Sequence, residues 1–313
     1  MSLTIVNPGL VSLLQDGGRF GSQHRGITTG GPLDSHAFCW ANKLLDNNPN
    51  ATQIEICYGN FSARFNRGVR FAITGADLNW RLDGMPLMLW RTHYAEAGSV
   101  LSAESPRSGL RSYLAVHGGF NVPQVLGSCA TVMGDQLGGL ADGKPLQGSD
   151  EITYDVGEPG ILNRVSRHFR PDYTKPAILR VMPSNQFDKF SQQTRRQFFG
   201  QRYHLSNRAD RMGCRMEGKP LSDIPGNMVS EAVALGSIQV PSDGQPIILL
   251  NDRQTIGGYP KLGNIYAVDI ARLAQCQPGD EIRFELGSLE EAQYELCLFR
   301  QFFDFHPKLK AKI

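Results

Sequence analysis

Apolar and polar positions alternate over short runs along most of this chain, and nearly every run stops at glycine, proline or aspartate. FAITGA (71–76), SYLAVHGG (112–119), AILRVMP (177–183), SIQVP (237–241), PIILLND (246–252) and IYAVD (265–269) each have the content and length of a strand. Gly and Pro at their ends supply the positive φ and the fixed φ that stop an extended run. The pattern predicts a mainly β chain built of barrels, with few helices. Ala37, Trp40, Ala41, Leu44 and Leu45 recur on one helical stripe behind Asp34, a residue suited to capping. Leu289, Ala292, Leu296, Phe299 and Phe303 form a second stripe near the C-terminus, expected to face a core.

The chain has 313 residues, more than the roughly 250 to 300 over which one hydrophobic core keeps growing, so two domains are expected. Periodicity is lost over GEPGILNRVSRHFRPDYTKP (157–176), and AILRVMP then restarts it. This places the division at 1–165 and 166–313. A weak internal repeat supports two halves: GSDEITY (148–154) and PGDEIRF (278–284) each set a turn and two acids before an alternating strand.

Composition narrows the function classes. Hydrophobic residues make up 41% and charged residues 20%, as in globular proteins, and the net charge of +2 comes from interspersed residues of both signs. There is no basic stripe for a phosphate backbone, so a nucleic-acid partner is not expected. No apolar stretch reaches the roughly 18 to 20 residues of a membrane span, and MSLTIVNPGL lacks the parts of a signal peptide, so a cytoplasmic protein without a membrane partner is expected. Cys39, Cys57, Cys129, Cys214, Cys276 and Cys297 form no C-x-x-C pair and are expected as buried thiols; the histidines show no close ligand pair, and no metal site is expected. His117, ending a strand, is read as a hydrogen-bonded structural residue.

The densest polar chemistry follows the apolar run Ile247, Ile248, Leu249 and Leu250, where a buried strand would emerge into a glycine-containing loop. Over 252–261, Arg253 and Lys261 can hold a carboxylate or phosphate, Gln254 and Thr255 can bond a carbonyl or amide, and Tyr259 can donate from its phenol. Gly257 and Gly258 permit close backbone approach. The plain alternative for Arg253 is an ion pair with Asp252; as a loop residue it should add little to packing if it faces solvent. A second cluster holds Arg208, Asp210 and Arg211, with Arg215 and Glu217 beyond; Ser230 and Glu231 follow, and Glu231 is the candidate acceptor or general base of this half. These blocks could instead only brace a barrel. Gln15, Asp16 and Arg19 form a polar turn in the first half, and Asp34 is read as a cap rather than an anion site. No G-x-x-x-x-G-K-[ST] loop and no M-K-M biotin-attachment motif occurs, so no cofactor is expected on a motif of this chain.

Five blocks carry a family resemblance: PGLVSLLQDGGRFG with GGPLDSHAFCWAN (8–42), FAITGADLNWRLDG (71–84), GLRSYLAVHGGFNVPQVLGS (109–128), SNRADRMGCRMEG (206–218) and GSIQVPSDGQPIILLNDRQTIGGYP (236–260). In this order they resemble the biotin-dependent carboxyltransferase family, also called allophanate hydrolase subunit 2. Cys214 stands where the family often has an aromatic, and Ser230 and Glu231 match its S-E position. The resemblance implies two cyclophilin-like β-barrel domains in tandem with a cleft between them. From their residue types and placement in the matching blocks, catalytic duty is expected of Arg253, Tyr259, Lys261 and Glu231, and substrate binding of Gln254, Thr255, Arg211, Asp210, Gly257 and Gly258. For a stand-alone chain the resemblance implies a subunit of ATP-dependent 5-oxoprolinase, inactive alone, that helps open a small lactam to glutamate. Subunits B and A would be its partners, and ATP and Mg would be used by the complex. Two alternatives stay open: a carboxyltransferase component acting on urea or a related amide with a biotinyl partner, and a regulatory protein that antagonises a kinase inhibitor.

Overall fold

The computed structural model describes residues 1–155, 160–226 and 228–306, and the chain in it is mainly β. It divides into two compact units. The first comprises Met1–Phe20, Gly30–Thr174 and the described residues 302–306; the second comprises Gly21–Thr29 and Lys175–Gln301. Part of the aperiodic 157–176 stretch, residues 157–159, lies outside the described residues.

Two antiparallel sheets make the first unit. The seven-stranded sheet runs in the order Phe120–Asn121, Glu151–Tyr154, Ser2–Pro8, Phe61–Phe65, Val100–Ser102, Arg81–Leu82, Met85–Pro86. The five-stranded sheet runs Val11–Gln15, Gln53–Cys57, Ser108–Val116, Val69–Asp77, Arg91–Ala95. Alternation along the strands sends one set of side chains inward from each sheet: Leu3, Ile5, Phe61, Phe65, Leu101 and Ile152 from the first meet Leu14, Ile54, Ile56, Phe71, Ile73 and Leu114 from the second in one core. The helix Ser35–Leu44 starts where the sequence predicts, with Asp34 Oδ1 accepting from Ala37 N at 2.8 Å. The polar turn is an internal brace. Arg19 is fully buried and donates to the carbonyls of Val125, Ser128 and Ala130, while Asp16 accepts from Ser128 Oγ at 2.5 Å and Cys129 N at 3.0 Å.

The second unit is a closed barrel of seven strands in the order Ala177–Pro183, Lys261–Ile265, Ser237–Gln239, Ile247–Leu249, Gly213–Glu217, Tyr203–Ala209, Glu281–Leu286. Every neighbouring pair is antiparallel except the last, Ala177–Pro183 against Glu281–Leu286, which is parallel. Phe198 and Phe284 stack at 4.6 Å beside Tyr203 within it.

The weak sequence repeat is a device used once in each unit. Gln147 N donates to Asp150 Oδ2 at 2.7 Å, and Gln277 N to Asp280 Oδ2 at 2.8 Å. Ile5 N then donates to Asp150 O, as Leu205 N does to Asp280 O; Ser149 N and Gly279 N return bonds to Ile5 O and Leu205 O. Ser149 and Gly279 both take positive φ, 73° and 91°, as this turn requires.

Three expectations are corrected. IYAVD is not a strand: extension ends at Ile265, and residues 266–269 turn into the helix Ile270–Leu273. Tyr266 is buried there with its hydroxyl on Ser288 O, and Asp269 is spent on Arg180, accepting from its backbone N and its guanidinium. The C-terminal stripe does form a helix, Leu289–Phe303, but only Phe303 of it is buried, and Leu289 stands exposed. Of the six cysteines, all free thiols, four are buried, Cys57 is half-buried and Cys297 is exposed on that helix. The helix Gln192–Gly200 gave no stripe, since Thr194 and Phe198 are its buried residues; Ser191 caps it by accepting from Thr194 N at 3.1 Å.

Phe198 is fully enclosed among aromatic rings. Phe198→Ala is therefore expected to cost about 3 to 5 kcal/mol, read as a fall in the urea midpoint of the full chain with the slope of the transition unchanged.

Candidate functional site

The strand Ser237–Gln239 pairs with Lys261–Ile265 in a register that shifts within the pair: Ile238 faces Gly263, but Gln239 faces Lys261. One extra residue, Leu262, lies between those partners on the second strand. Such a bulge re-aims the side chains that follow it. Directly opposed residues point to the same face, so the bulge brings the polar Gln239 and Lys261 together while Leu262 stays in the core.

Across that face lies a small ribbon in which Glu231–Ala232 pairs with Ile256–Gly257, Glu231 opposite Gly257. Lys261 is 8% exposed. Its Nζ lies 2.8 Å from Glu231 Oε1 and donates to Ala232 O at 3.1 Å. Gln186, itself buried, joins both: its Oε1 accepts from Lys261 N at 2.8 Å and its Nε2 donates to Glu231 Oε1. The hydrogen bond and charge of Lys261, with further bonds from Asn185 and Gln186, hold the Glu231 carboxyl below its usual value of 4.5, so it is ionised at neutral pH. On the other strand of the ribbon, Gly257 lies over the Gln239 amide, and a Cβ there would come within 2.6 Å of Gln239 Nε2.

The 252–261 loop is pinned at its base. Asp252 receives a bidentate contact from Arg211, Nε to Oδ2 at 2.9 Å and Nη2 to Oδ1 at 3.0 Å, with both side chains under 10% exposed, at 7% and 6%. The bidentate partner of Asp252 is thus Arg211 and not Arg253. Arg253 does not face solvent freely: its guanidinium donates to Val233 O at 3.2 Å and Leu250 O at 3.1 Å, and burial lowers its pKa to about 10 against the raising influence of Asp252. Asp210 caps the next turn by accepting from Met212 N and Gly213 N, and Arg215 pairs with Asp243. Thr255 bonds Val233 N through its carbonyl, Gly258 bonds Met228 N likewise, and Gln254 and Tyr259 are exposed.

The structure therefore brings Lys261, Glu231 and Gly257 into one cluster and joins to it Gln186 and Gln239, neither singled out from sequence. Arg211, Asp210 and Arg253 have bracing contacts at the loop base. Gln239 stands at a polar phase of the alternating run SIQVP, where a glutamine draws no notice, and Gln186 carried no signal either. Two open concavities lie in the first unit, about 750 Å³ beside Arg164, Arg167 and Arg170 and about 410 Å³ beside Trp80, Trp90 and Tyr173, and no candidate residue lines either. Among the described residues, no group of three His, Cys, Asp or Glu could hold a metal ion, and no helix is long and apolar enough to cross a membrane.

Comparison with known families sets this geometry in context. Residues 25–286 match the model of the carboxyltransferase domain, subdomains A and B. The chain belongs to this family. It is 36% identical over 280 residues to the 5-oxoprolinase C subunit of Haemophilus influenzae, covering 89% of both chains. It is also 36% identical over 292 residues to the 5-oxoprolinase C subunit of Escherichia coli, covering 93% of both. The solved urea carboxylase of Kluyveromyces lactis superposes with a TM-score of 0.89 at 23% identity, covering 97% of this chain and 29% of that one, a likeness of fold.

The two buried arrangements differ in what they do for stability. Asp252→Ala leaves the Arg211 guanidinium buried without its carboxylate and is expected to cost about 3 to 5 kcal/mol; Arg253→Ala loses two bonds to carbonyls and should cost about 1 to 3 kcal/mol. Urea denaturation of the two variants checks that order. Because the folded pKa of Glu231 is depressed, its contribution is present above the usual carboxylate value and lost as pH falls through the folded one. The stabilities of wild type and Glu231→Gln, followed over a descending pH series, should differ at pH 7, begin to approach each other below 4.5 and converge only once the folded carboxyl itself is protonated.

Proposed function

We propose that this chain is a subunit of an ATP-dependent 5-oxoprolinase, a hydrolase acting on a cyclic amide, and that its Lys261 cluster helps bind or activate the lactam. The observation that carries this reading is similarity along nearly the whole chain to the 5-oxoprolinase C subunits of two bacteria, at 36% identity and with 89% to 93% of each partner covered. The chemistry of the cluster agrees. Amide resonance slows attack on the carbonyl, so ring opening is served by ATP-coupled activation and by groups that meet charge as it develops on the carbonyl oxygen. The Lys261 ammonium is such a donor, held by Glu231 and by a carbonyl, and the Glu231 carboxylate is an acceptor for an amide or water proton. Tyr259, exposed at the end of the same loop, and Gln254 are free to meet substrate or a partner protein.

In this reading ATP and Mg belong to the assembled complex, subunits B and A are the partners, the site of action is the cytoplasm, and the chain is inactive alone. A carboxyltransferase reading has support from a putative urea carboxylase of Emericella nidulans, 28% identical over 305 residues, of which this chain covers 24%. That alternative requires a biotinyl protein as partner, and a purely regulatory role requires no turnover dependent on this chain.

Reconstitution with subunits A and B separates the three. Glutamate release that needs ATP, 5-oxoproline and this chain, with no biotinyl protein added, supports the proposal; release that proceeds equally without this chain refutes it. In the active complex, Lys261→Ala and Tyr259→Phe should each reduce turnover by some tens to several hundred-fold, the equivalent of about 2 to 4 kcal/mol of transition-state stabilisation. Co-elution of the subunits must be shown unchanged for each variant.

A further inference from the structure

The aperiodic stretch of the sequence contains RVSRHFRPD (164–172), and the first unit uses it to line an open concavity of about 750 Å³. Arg164, Arg167 and Arg170 face this space with a single carboxylate, Asp172. Backbone contacts fix the loop. Thr92 N donates to Asn163 O and Val165 N to Trp90 O, both at 2.9 Å, which lays residues 163–165 along the edge strand Arg91–Ala95. Val165 is buried, and after one turn Arg170 reaches back to it, its Nε and Nη2 donating to Val165 O at 3.0 and 2.6 Å. Arg170 Nη1 and the guanidinium groups of Arg164 and Arg167 keep no hydrogen-bond or carboxylate partner among the described residues. Asp172 accepts from Thr174 N and Oγ1 through its Oδ1. Burial, then the charges of Arg164, Arg167 and Arg91, lower the pKa of Arg170. An anion among these groups would remove that repulsion.

Three guanidiniums against one carboxylate exceed what a singly charged ligand neutralises, and the guanidinium fork matches the oxygens of phosphate. The volume lies within the roughly 300 to 1,000 Å³ of small-molecule sites. A second concavity, of about 410 Å³, shares Arg170 and Pro171 with the first and is lined by Trp80, Leu87, Met88, Leu89, Trp90 and Tyr173. It offers an apolar and aromatic wall to a ring carried by the phosphates, while Asp77 and Ser108, also lining it, can bond ring heteroatoms. We infer that the two concavities form one site for a nucleoside polyphosphate, its phosphates on Arg164, Arg167 and Arg170 and its base in the second concavity. This goes beyond the function proposed above and does not rest on it, since it concerns binding by the first unit and involves no lactam.

Isothermal titration of the full chain with ATP tests the site. Wild type should bind ATP in the micromolar range, about tenfold or more tighter than tripolyphosphate, which has the phosphates without the nucleoside, and than citrate, a trianion of carboxylates. The double variant Arg164→Ala, Arg167→Ala should weaken ATP binding about tenfold or more. Removing the same charge from exposed positions of the second unit, with Arg196→Ala and Lys219→Ala, should leave it unchanged. Arg164 and Arg167 are themselves exposed, so the melting temperature of their variant without ligand should be that of wild type; the single change Arg167→Glu gives the same reading if the double variant does not fold. No binding of ATP at millimolar concentration, citrate binding as tightly as ATP, or equal weakening in the control pair overturns the site. Equal affinity for ATP and tripolyphosphate overturns the place given to the base. Glutamate release by the reconstituted complex is measured separately, so either result leaves the function proposed above to its own test.

Discussion

Burial of the Lys261 ammonium is the constraint around which the second unit is arranged. An ammonium taken out of water must be met by opposite charge and by acceptors, or the cost exceeds what the surrounding packing can supply. Both come from one two-residue strand, Glu231 through its carboxylate and Ala232 through its carbonyl, so the same contacts that satisfy the lysine fasten the ribbon to the barrel. The ribbon's other strand is fixed by pairing, and Gly257 is thereby set over Gln239. A one-residue bulge makes this possible: with regular pairing Gln239 would stand opposite Leu262, a side chain that belongs to the core.

The remaining charges of this unit divide by what they hold. Arg211 and Asp252 fix the base of the 252–261 loop, Arg253 ties it to the carbonyls of Val233 and Leu250, and Asp210 closes the turn before the strand Gly213–Glu217. Arg180 does similar work on the neighbouring strand Ala177–Pro183, gripping Asp269 and Glu295 while lying 4.7 Å from the Tyr266 ring. These are multi-dentate contacts with little freedom, and they leave Gln254, Ile256 and Tyr259 as the exposed side chains of the loop. A rigid base with exposed groups at its tip is how a barrel presents chemistry without sacrificing its core. On the proposed reading, this is why so many of the family-matched polar residues serve the loop's position and few of them can touch a substrate.

Much of the fold was legible in the sequence because strand patterning and capping are local. Asp34 caps the helix it was expected to cap, five of the six alternating runs contain strands, and the faint likeness of GSDEITY to PGDEIRF is one turn built twice with the same Gln and Asp partners. The failures are equally physical. IYAVD alternates like a strand, but Asp269 is drawn to Arg180, 89 residues away, and the backbone turns to deliver it. The 289–303 stripe has helical period, yet period says only which residues share a face and not whether anything covers that face. The polar candidates were recognised as a group because their residue types and family match are local facts. Their division into braces and cluster was not, since the partner of Asp252 is 41 residues distant and that of Lys261 is 30. Gln239 shows the limit most plainly: a glutamine in an alternating run gives its identity and its face, while the pairing shift that sets it beside Lys261, and the absence among the described residues of a partner for its donor, exist only once the barrel has closed.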